Sequence, residues 1–245
     1  MRHAQRDQHP ATFFKRTTAL MDFPDPRADN YGDIVAVGGN LQPDNLIAAY
    51  RRGIFPWPIE NCPLPWFSPR ERAILEWDSL HVPRRLARRS RQSPFRLTID
   101  ADFPRVMLHC ALVARPDETG TWITPEMFEA YHALHRLGHA HSAEAWENEE
   151  LVGGIYGVDA GGAFACESMF YLRPNASKLA LLYLFEHLRA RGLDWIDVQV
   201  LTPHIERLGA KLVSRAAFLD KLERTLARKL ELFPPGVSAV SFDRR

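Results

Sequence analysis

The sequence predicts an α+β fold, a mixed sheet with helices packed on it, and three observations carry that prediction. From His141 onward, runs of alternating or continuous apolar residues are separated by turn residues. HSAEAWE, LVGGIYGVDA and AFACESMFYL read as three strands, joined at Asn148-Glu149 and at Gly161-Gly162. Downstream of these strands lies a long amphipathic segment, SKLALLYLFEHLRARG, and then the apolar run WIDVQVL. An antiparallel meander succeeded by strand and helix units is the signature of that class.

Taken in order, residues 1 to 20 read as a loose polar tail, 21 to 71 as a small N-terminal domain and 72 to 245 as a larger domain. Prolines crowd Phe23 to Pro69, which excludes long regular elements there except one helix. That helix is PDNLIAAYRRG, with Pro43 in its first turn, Leu46, Ile47 and Tyr50 on its apolar stripe, and Gly53 just past its end. VPRRLARRSRQ is a second helical segment. After WIDVQVL, HIERLGA reads as a short helix opened by Thr202-Pro203, KLVS as a strand and AAFLDKLERTLARKL as a closing helix.

With 245 residues, 46% hydrophobic and 25% charged, the chain has an ordinary globular composition. Cys62, Cys110 and Cys166 are odd in number and far apart, which argues against a disulfide framework or thiolate zinc and fits a reducing, cytoplasmic setting. No apolar run approaches the roughly 18 residues that cross a bilayer, and the polar N-terminus lacks the core of an export signal. The net charge of +1 conceals a local excess: Arg84, Arg85, Arg88, Arg89 and Arg91 occupy five of eight positions. A solvated helix face and a phosphate-binding surface both fit that run; the absence of Asp and Glu between Leu80 and Ile99 favours a polyanion. His132, His135, His139 and His141 raise the question of a metal. No Cys or spaced acidic ligand joins them, and Gly138 interrupts the helix between them, so no metal site is expected.

In WIDVQVL, alternation puts Asp197 and Gln199 on one face and Ile196, Val198 and Val200 on the other. An exposed strand face would explain the pair, as would a site. Glu167 poses the same question, alternating with Ala165 and Met169 where a structural salt bridge is the alternative.

The order of elements resembles the GCN5-related acyltransferase fold. Members of that fold that use coenzyme A open the helix after the central strands with a Gly-rich loop. Here that junction reads Arg173-Pro174-Asn175-Ala176-Ser177, without glycine. Longer strings are more specific: VGGNLQPDNLIAAYRRGIFPW, WFSPRERAIL, TGTWIT, AYHALHRLGHAHSAEAW, ELVGGIYGV, ESMF, NASKLALL and IDVQVL. In that order they resemble the leucyl/phenylalanyl-tRNA–protein transferases. The resemblance implies transfer of Leu or Phe, and less well Met, from aminoacyl-tRNA to proteins with N-terminal Arg or Lys, marking them for degradation, by a monomer without cofactor or metal. It puts Asp197 and Gln199 at the family's catalytic pair, with Asp197 as base or as electrostatic anchor. Glu167 would then fix an ammonium, and Trp57 and Trp122 would stack the terminal adenine. Ile155, Phe164, Met169, Leu181, Leu184 and Ile196 would line the apolar pocket or be ordinary core, and the arginine run would hold acceptor-stem phosphates. A coenzyme A-dependent N-acetyltransferase and a non-catalytic RNA-binding module are the competing readings.

Overall fold

A computed structural model describes residues 20–28, 32–113 and 121–234, without the side chains of residues 89–91. The tail through residue 19, the first two residues of TGTWIT and the side chains of Arg89 and Arg91 therefore lie outside the described residues. Seven strands form the main sheet in the order β10-β4-β9-β8-β7-β6-β5. They are β4 (Glu71–Glu76), β5 (Arg96–Ile99), β6 (Ala140–Glu147), β7 (Glu150–Asp159), β8 (Phe164–Tyr171), β9 (Trp195–Gln199) and β10 (Lys211–Ser214). Neighbours run antiparallel except β8 and β9, which are parallel. A smaller antiparallel sheet, β1-β3-β2, is built from β1 (Ile34–Val37), β2 (Phe55–Pro56) and β3 (Pro65–Phe67). This is the mixed sheet flanked by helices that the meander and the strand and helix units predicted.

Helices cover both faces. On one lies α5 (Ala176–Arg189), which packs with α7 (Arg215–Ala227) into a cluster containing Leu181, Phe185, Trp195, Ile196 and Phe218. On the other, α1 (Pro43–Arg51), α3 (Phe103–Leu112) and α4 (Pro125–Arg136) share a second cluster with the small sheet, including Tyr50, Trp66, Phe103, Tyr131 and Tyr156. Local chemistry starts these helices where they start. Asp102, Thr124 and Ser214 accept hydrogen bonds from the backbone N–H three residues on, in α3, α4 and α7 respectively. The arginine run forms α2 (Arg84–Gln92), with Pro83 at its N-cap. The short helix after Thr202 is α6 (Pro203–Glu206).

Three details depart from the sequence reading. Strand β9 stops at Gln199 instead of reaching Leu201, since Gln199 takes φ +58° and Val200 N–H bonds the carbonyl of Val198 at 2.6 Å. A left-handed residue in an i to i+2 turn ends the extended backbone. Helix α5 ends at Arg189, short of Gly192. Strict alternation also fails in β8: Gly157 pairs with Cys166 and Tyr156 with Ser168, so Glu167 is the extra residue of a β-bulge. As a result Ala165 joins one core cluster and Met169 packs on the other, against the expectation that both share the face of Glu167.

Candidate functional site

Two bulges sit side by side in the middle of the sheet. Besides the one at Glu167, the pairing of β4 with β9 steps from Ile74 opposite Asp197 to Ala73 opposite Gln199, leaving Val198 unmatched. The parallel strands β8 and β9 pair at Ala165 and Asp197, and no further register pair exists among the described residues. A fork opens there, and a bulge on each strand re-aims the side chains that line it.

Asp197 stands at the base of the fork, 5% exposed. Arg72, 1% exposed, donates to it in a bidentate pair, Nε to Oδ1 at 2.8 Å and Nη2 to Oδ2 at 2.6 Å. The guanidinium lies over the rings of Phe55 and Phe218, at 4.4 and 4.7 Å from their centroids, and its Nη1 is buried without a hydrogen-bond partner. A third donor, the backbone N–H of Gln199, reaches Oδ1 at 2.9 Å. A buried carboxylate held by three donors, two of them from a guanidinium in charge-assisted bonds, fixes the groups around it. What it anchors is the left-handed turn at Gln199, a conformation costing on the order of 1–3 kcal/mol for a residue with a side chain.

That turn aims Gln199 across the fork. Its Nε2 donates to Glu167 Oε1 at 2.6 Å. Tyr50 Oη donates to the same oxygen at 2.7 Å and Tyr131 Oη to Oε2 at 3.3 Å, while the two hydroxyls approach each other at 2.5 Å. Three oxygen contacts thus share two phenolic protons; when Glu167 is protonated, Oε2–H donates to Tyr131 Oη, Tyr131 to Tyr50 and Tyr50 to Oε1, and all three are filled. Burial is the main force raising its pKa to about 7; bonds from Tyr50 and Gln199 oppose it, the charge of Asp197 adds to it, and that of Arg72 opposes it. Burial and the neighbouring carboxylate also raise both tyrosines well above the ordinary phenol value, so they remain donors. Glu167 is thereby brought to exchange a proton near neutrality.

The two candidate tryptophans meet, although 65 positions separate them in the chain. Trp57 and Trp122 are half-buried, with ring centroids 5.6 Å apart at 30°. Trp57 lies 6.2 Å from Phe55, and Phe55 carries Arg72, so one aromatic chain connects the pair to the anchor of Asp197. The six apolar candidates gather elsewhere. Ile155, Phe164, Leu181, Leu184 and Ile196 are buried in the α5-side cluster with half-buried Met169 against it, whereas Tyr50 and Tyr131 belong to the cluster on the other face. Arg84, Arg85 and Arg88 are exposed on α2. Of the histidines, His141 spends Nδ1 on Asp100 at 2.6 Å and Nε2 on the carbonyl of Gly138 at 3.1 Å, and His135 Nδ1 meets the carbonyl of Ala140 at 2.8 Å. No group of three or more metal-ligating side chains occurs among the described residues. Likewise, no helix among them is long and apolar enough to cross a membrane.

Sequence reasoning missed Arg72, Tyr50 and Tyr131 as parts of the site. Tyr50 was read as part of an apolar stripe; its hydroxyl, which a buried tyrosine must satisfy, was the available signal. Arg72 opens an apolar strand, RAIL, where a charge demands a partner.

Comparison with known proteins covers most of the chain. A model of the leucyl/phenylalanyl-tRNA protein transferase matches residues 74–223, and a model of the N-terminal domain of that transferase matches residues 39–70. Curated relatives carrying that name include one from Anaeromyxobacter sp., 50% identical over 208 residues, covering 85% of this chain and 88% of its own. Another, from Myxococcus xanthus, is 47% identical over 220 residues and covers 90% of each chain. A third, from Maridesulfovibrio salexigens, is 46% identical over 83% of this chain and 85% of its own. With family models and relatives matching along most of its length, the chain belongs to the leucyl/phenylalanyl-tRNA–protein transferase family.

Proposed function

We propose that this protein transfers Leu or Phe, and less readily Met, from aminoacyl-tRNA to N-terminal Arg or Lys of acceptor proteins in the cytoplasm, marking them for degradation. The observation that carries the chemistry is the carboxyl of Glu167, held at the fork by Tyr50, Tyr131 and Gln199 and poised near neutrality.

Aminolysis forms the amide C–N bond, breaks the ester C–O bond and moves one proton from the attacking amine to the departing ribose oxygen. In the proposed mechanism Glu167 accepts that proton and returns it to the leaving oxygen. An α-amine has an ordinary pKa near 8, so an acceptor near 7 is well matched to it. Gln199 orients the carboxyl and donates to charge developing on the carbonyl oxygen. Asp197 acts through Arg72 and the Gln199 backbone, the electrostatic anchor among its two candidate roles. The apolar side chain of the donor enters beside Met169, the half-buried member of the candidate set; Ile155, Phe164, Leu181, Leu184 and Ile196 form the packed wall behind it. Such a pocket separates similar apolar side chains by only about 1–3 kcal/mol, which accounts for leakage of Met. Trp57 and Trp122 offer an aromatic surface to the terminal adenine, and Arg84, Arg85, Arg88, Arg89 and Arg91 provide charge for the acceptor stem.

Incubation with labelled Phe-tRNA and a peptide beginning with Arg tests the reading. Labelled peptide should form without added coenzyme. No transfer, or transfer that requires acetyl coenzyme A, overturns it.

A further inference from the structure

A second basic feature lies beyond the carboxyl ends of the parallel strands. Between α2, the first turn of α5 and α6 is a cavity of about 170 Å³, lined by Arg85, Asn175, Lys178, His204 and Arg207 over a floor that includes Leu86 and Leu208. That is many times the ~10–15 Å³ needed for one water. No carboxylate lines it, and among the described residues none forms an ion pair with Arg85, Lys178 or Arg207. His204 Nε2 is buried there without a hydrogen-bond partner. Burial first, and then the charges of Lys178 and Arg207, lower the His204 pKa. The wall opposite His204 is a helix start whose N-cap residue, Asn175, has φ +70° and makes no side-chain cap bond, so the first N–H groups of α5 are not capped by that side chain. Gly153 of β7 lets that start lie against the sheet: a Cβ there would come within 2.5 Å of Ala176 Cβ and 2.8 Å of Ser177 N.

We propose that this cavity seats a backbone phosphate of the donor RNA's 3′ strand, close to the ester. The inference rests on the aminoacyl-tRNA reading above and adds a defined phosphate seat to it. Position argues for the 3′ strand. Gln199 and His204 are five positions apart in the chain, a span of at most about 18 Å, so a phosphate in the cavity lies within a few nucleotides of the fork. Outward from it, the exposed Arg84 and Arg88 border a further hollow of about 420 Å³ on α2. Fork, cavity and α2 thus form one track for a single strand leading into a stem. Crevices past the carboxyl ends of sheet strands are the usual ligand position in open sheets with parallel strands.

The test compares two donors with the full-length protein: Phe-tRNA, and phenylalanyl-adenosine, which carries the ester but no phosphate. Lys178→Gln and Arg207→Gln are made singly and together; both side chains keep solvent exposure, and the single variants serve if the double one fails to fold. The double variant should raise KM for Phe-tRNA about 5- to 30-fold, with kcat within twofold. It should also reduce the slope of log KM against log salt by about 0.7, the value for one phosphate contact on a single strand. The ratio of KM for Phe-tRNA to that for phenylalanyl-adenosine rises accordingly. An equal rise for both donors, or no change for either, overturns the seat. So does calorimetric binding of coenzyme A to the wild type that the variants abolish, which would assign the cavity to a pyrophosphate ligand. Failure of the wild type with both donors would instead refute the transferase reading.

Discussion

Replacing Glu167 with Gln keeps the shape of the side chain and removes its proton. Folding raises the pKa of this carboxyl from an ordinary 4.5 to about 7, so between those values the native state holds a proton that the unfolded chain has released. Stability therefore falls as pH rises through that window, by about 1.4 kcal/mol per pH unit, or about 3 kcal/mol in all by pH 8. Glu167→Gln has no group there that titrates in this range. The difference in unfolding free energy, variant minus wild type, should rise by about 3 kcal/mol between pH 4.5 and 8, whatever constant offset the altered bonds to Tyr50 and Tyr131 contribute. Urea unfolding at half-unit pH steps measures it. Activity should move the other way. Wild-type kcat/KM should climb through an inflection near 7, and Glu167→Gln should lose the inflection and about 10²- to 10⁴-fold in rate. A stability difference that stays flat with pH, or a variant that retains both rate and inflection, refutes the assignment of the proton to Glu167.

Other perturbations probe the frame around it. Arg72→Met strands the buried Asp197 charge and should cost about 3–5 kcal/mol in denaturant unfolding; adding Asp197→Asn should restore much of that. If the two changes are simply additive, the pair is not the anchor described. Trp57→Ala and Trp122→Ala should each raise KM for Phe-tRNA by the equivalent of about 1–3 kcal/mol in steady-state assays while sparing the Glu167 inflection. Gly153→Ala should destabilise by about 1–3 kcal/mol, read as a drop in urea midpoint, because its Cβ meets the backbone of Ser177 as well as Ala176. An unchanged midpoint would mean that α5 shifts freely on the sheet.

Anchoring the fork with a charged pair also accounts for the position of the N-terminal segment. Tyr50 of α1 and Phe55 of β2 reach the network from the small sheet's side, Tyr131 from α4, and Arg72 from the first strand of the main sheet. Glu167 is thus held by side chains from three separate segments, counting Gln199, and a loss of packing at any of them changes how its proton is held.

By itself the sequence determined the elements with strong periodicity and clear punctuation: the meander from β6 to β8, helices α1, α5 and α7, and the basic helix α2. Those depend on neighbours three, four or two positions away, which a single chain displays directly. Alternation likewise singled out Asp197 and Gln199, and both are buried, with a bulge at Val198 between them. Tertiary structure decided their surroundings. That Asp197 is saturated by Arg72, 125 positions away, and that Tyr50 and Tyr131 converge on Glu167 across 117 and 36 positions, are facts of long-range packing. The bulges at Glu167 and Val198 are invisible to a period of two, because a bulge is defined by the partner strand and not by its own residues. A carboxylate's chemistry comes from its desolvation and its donors, and both exist only once the chain has closed around it.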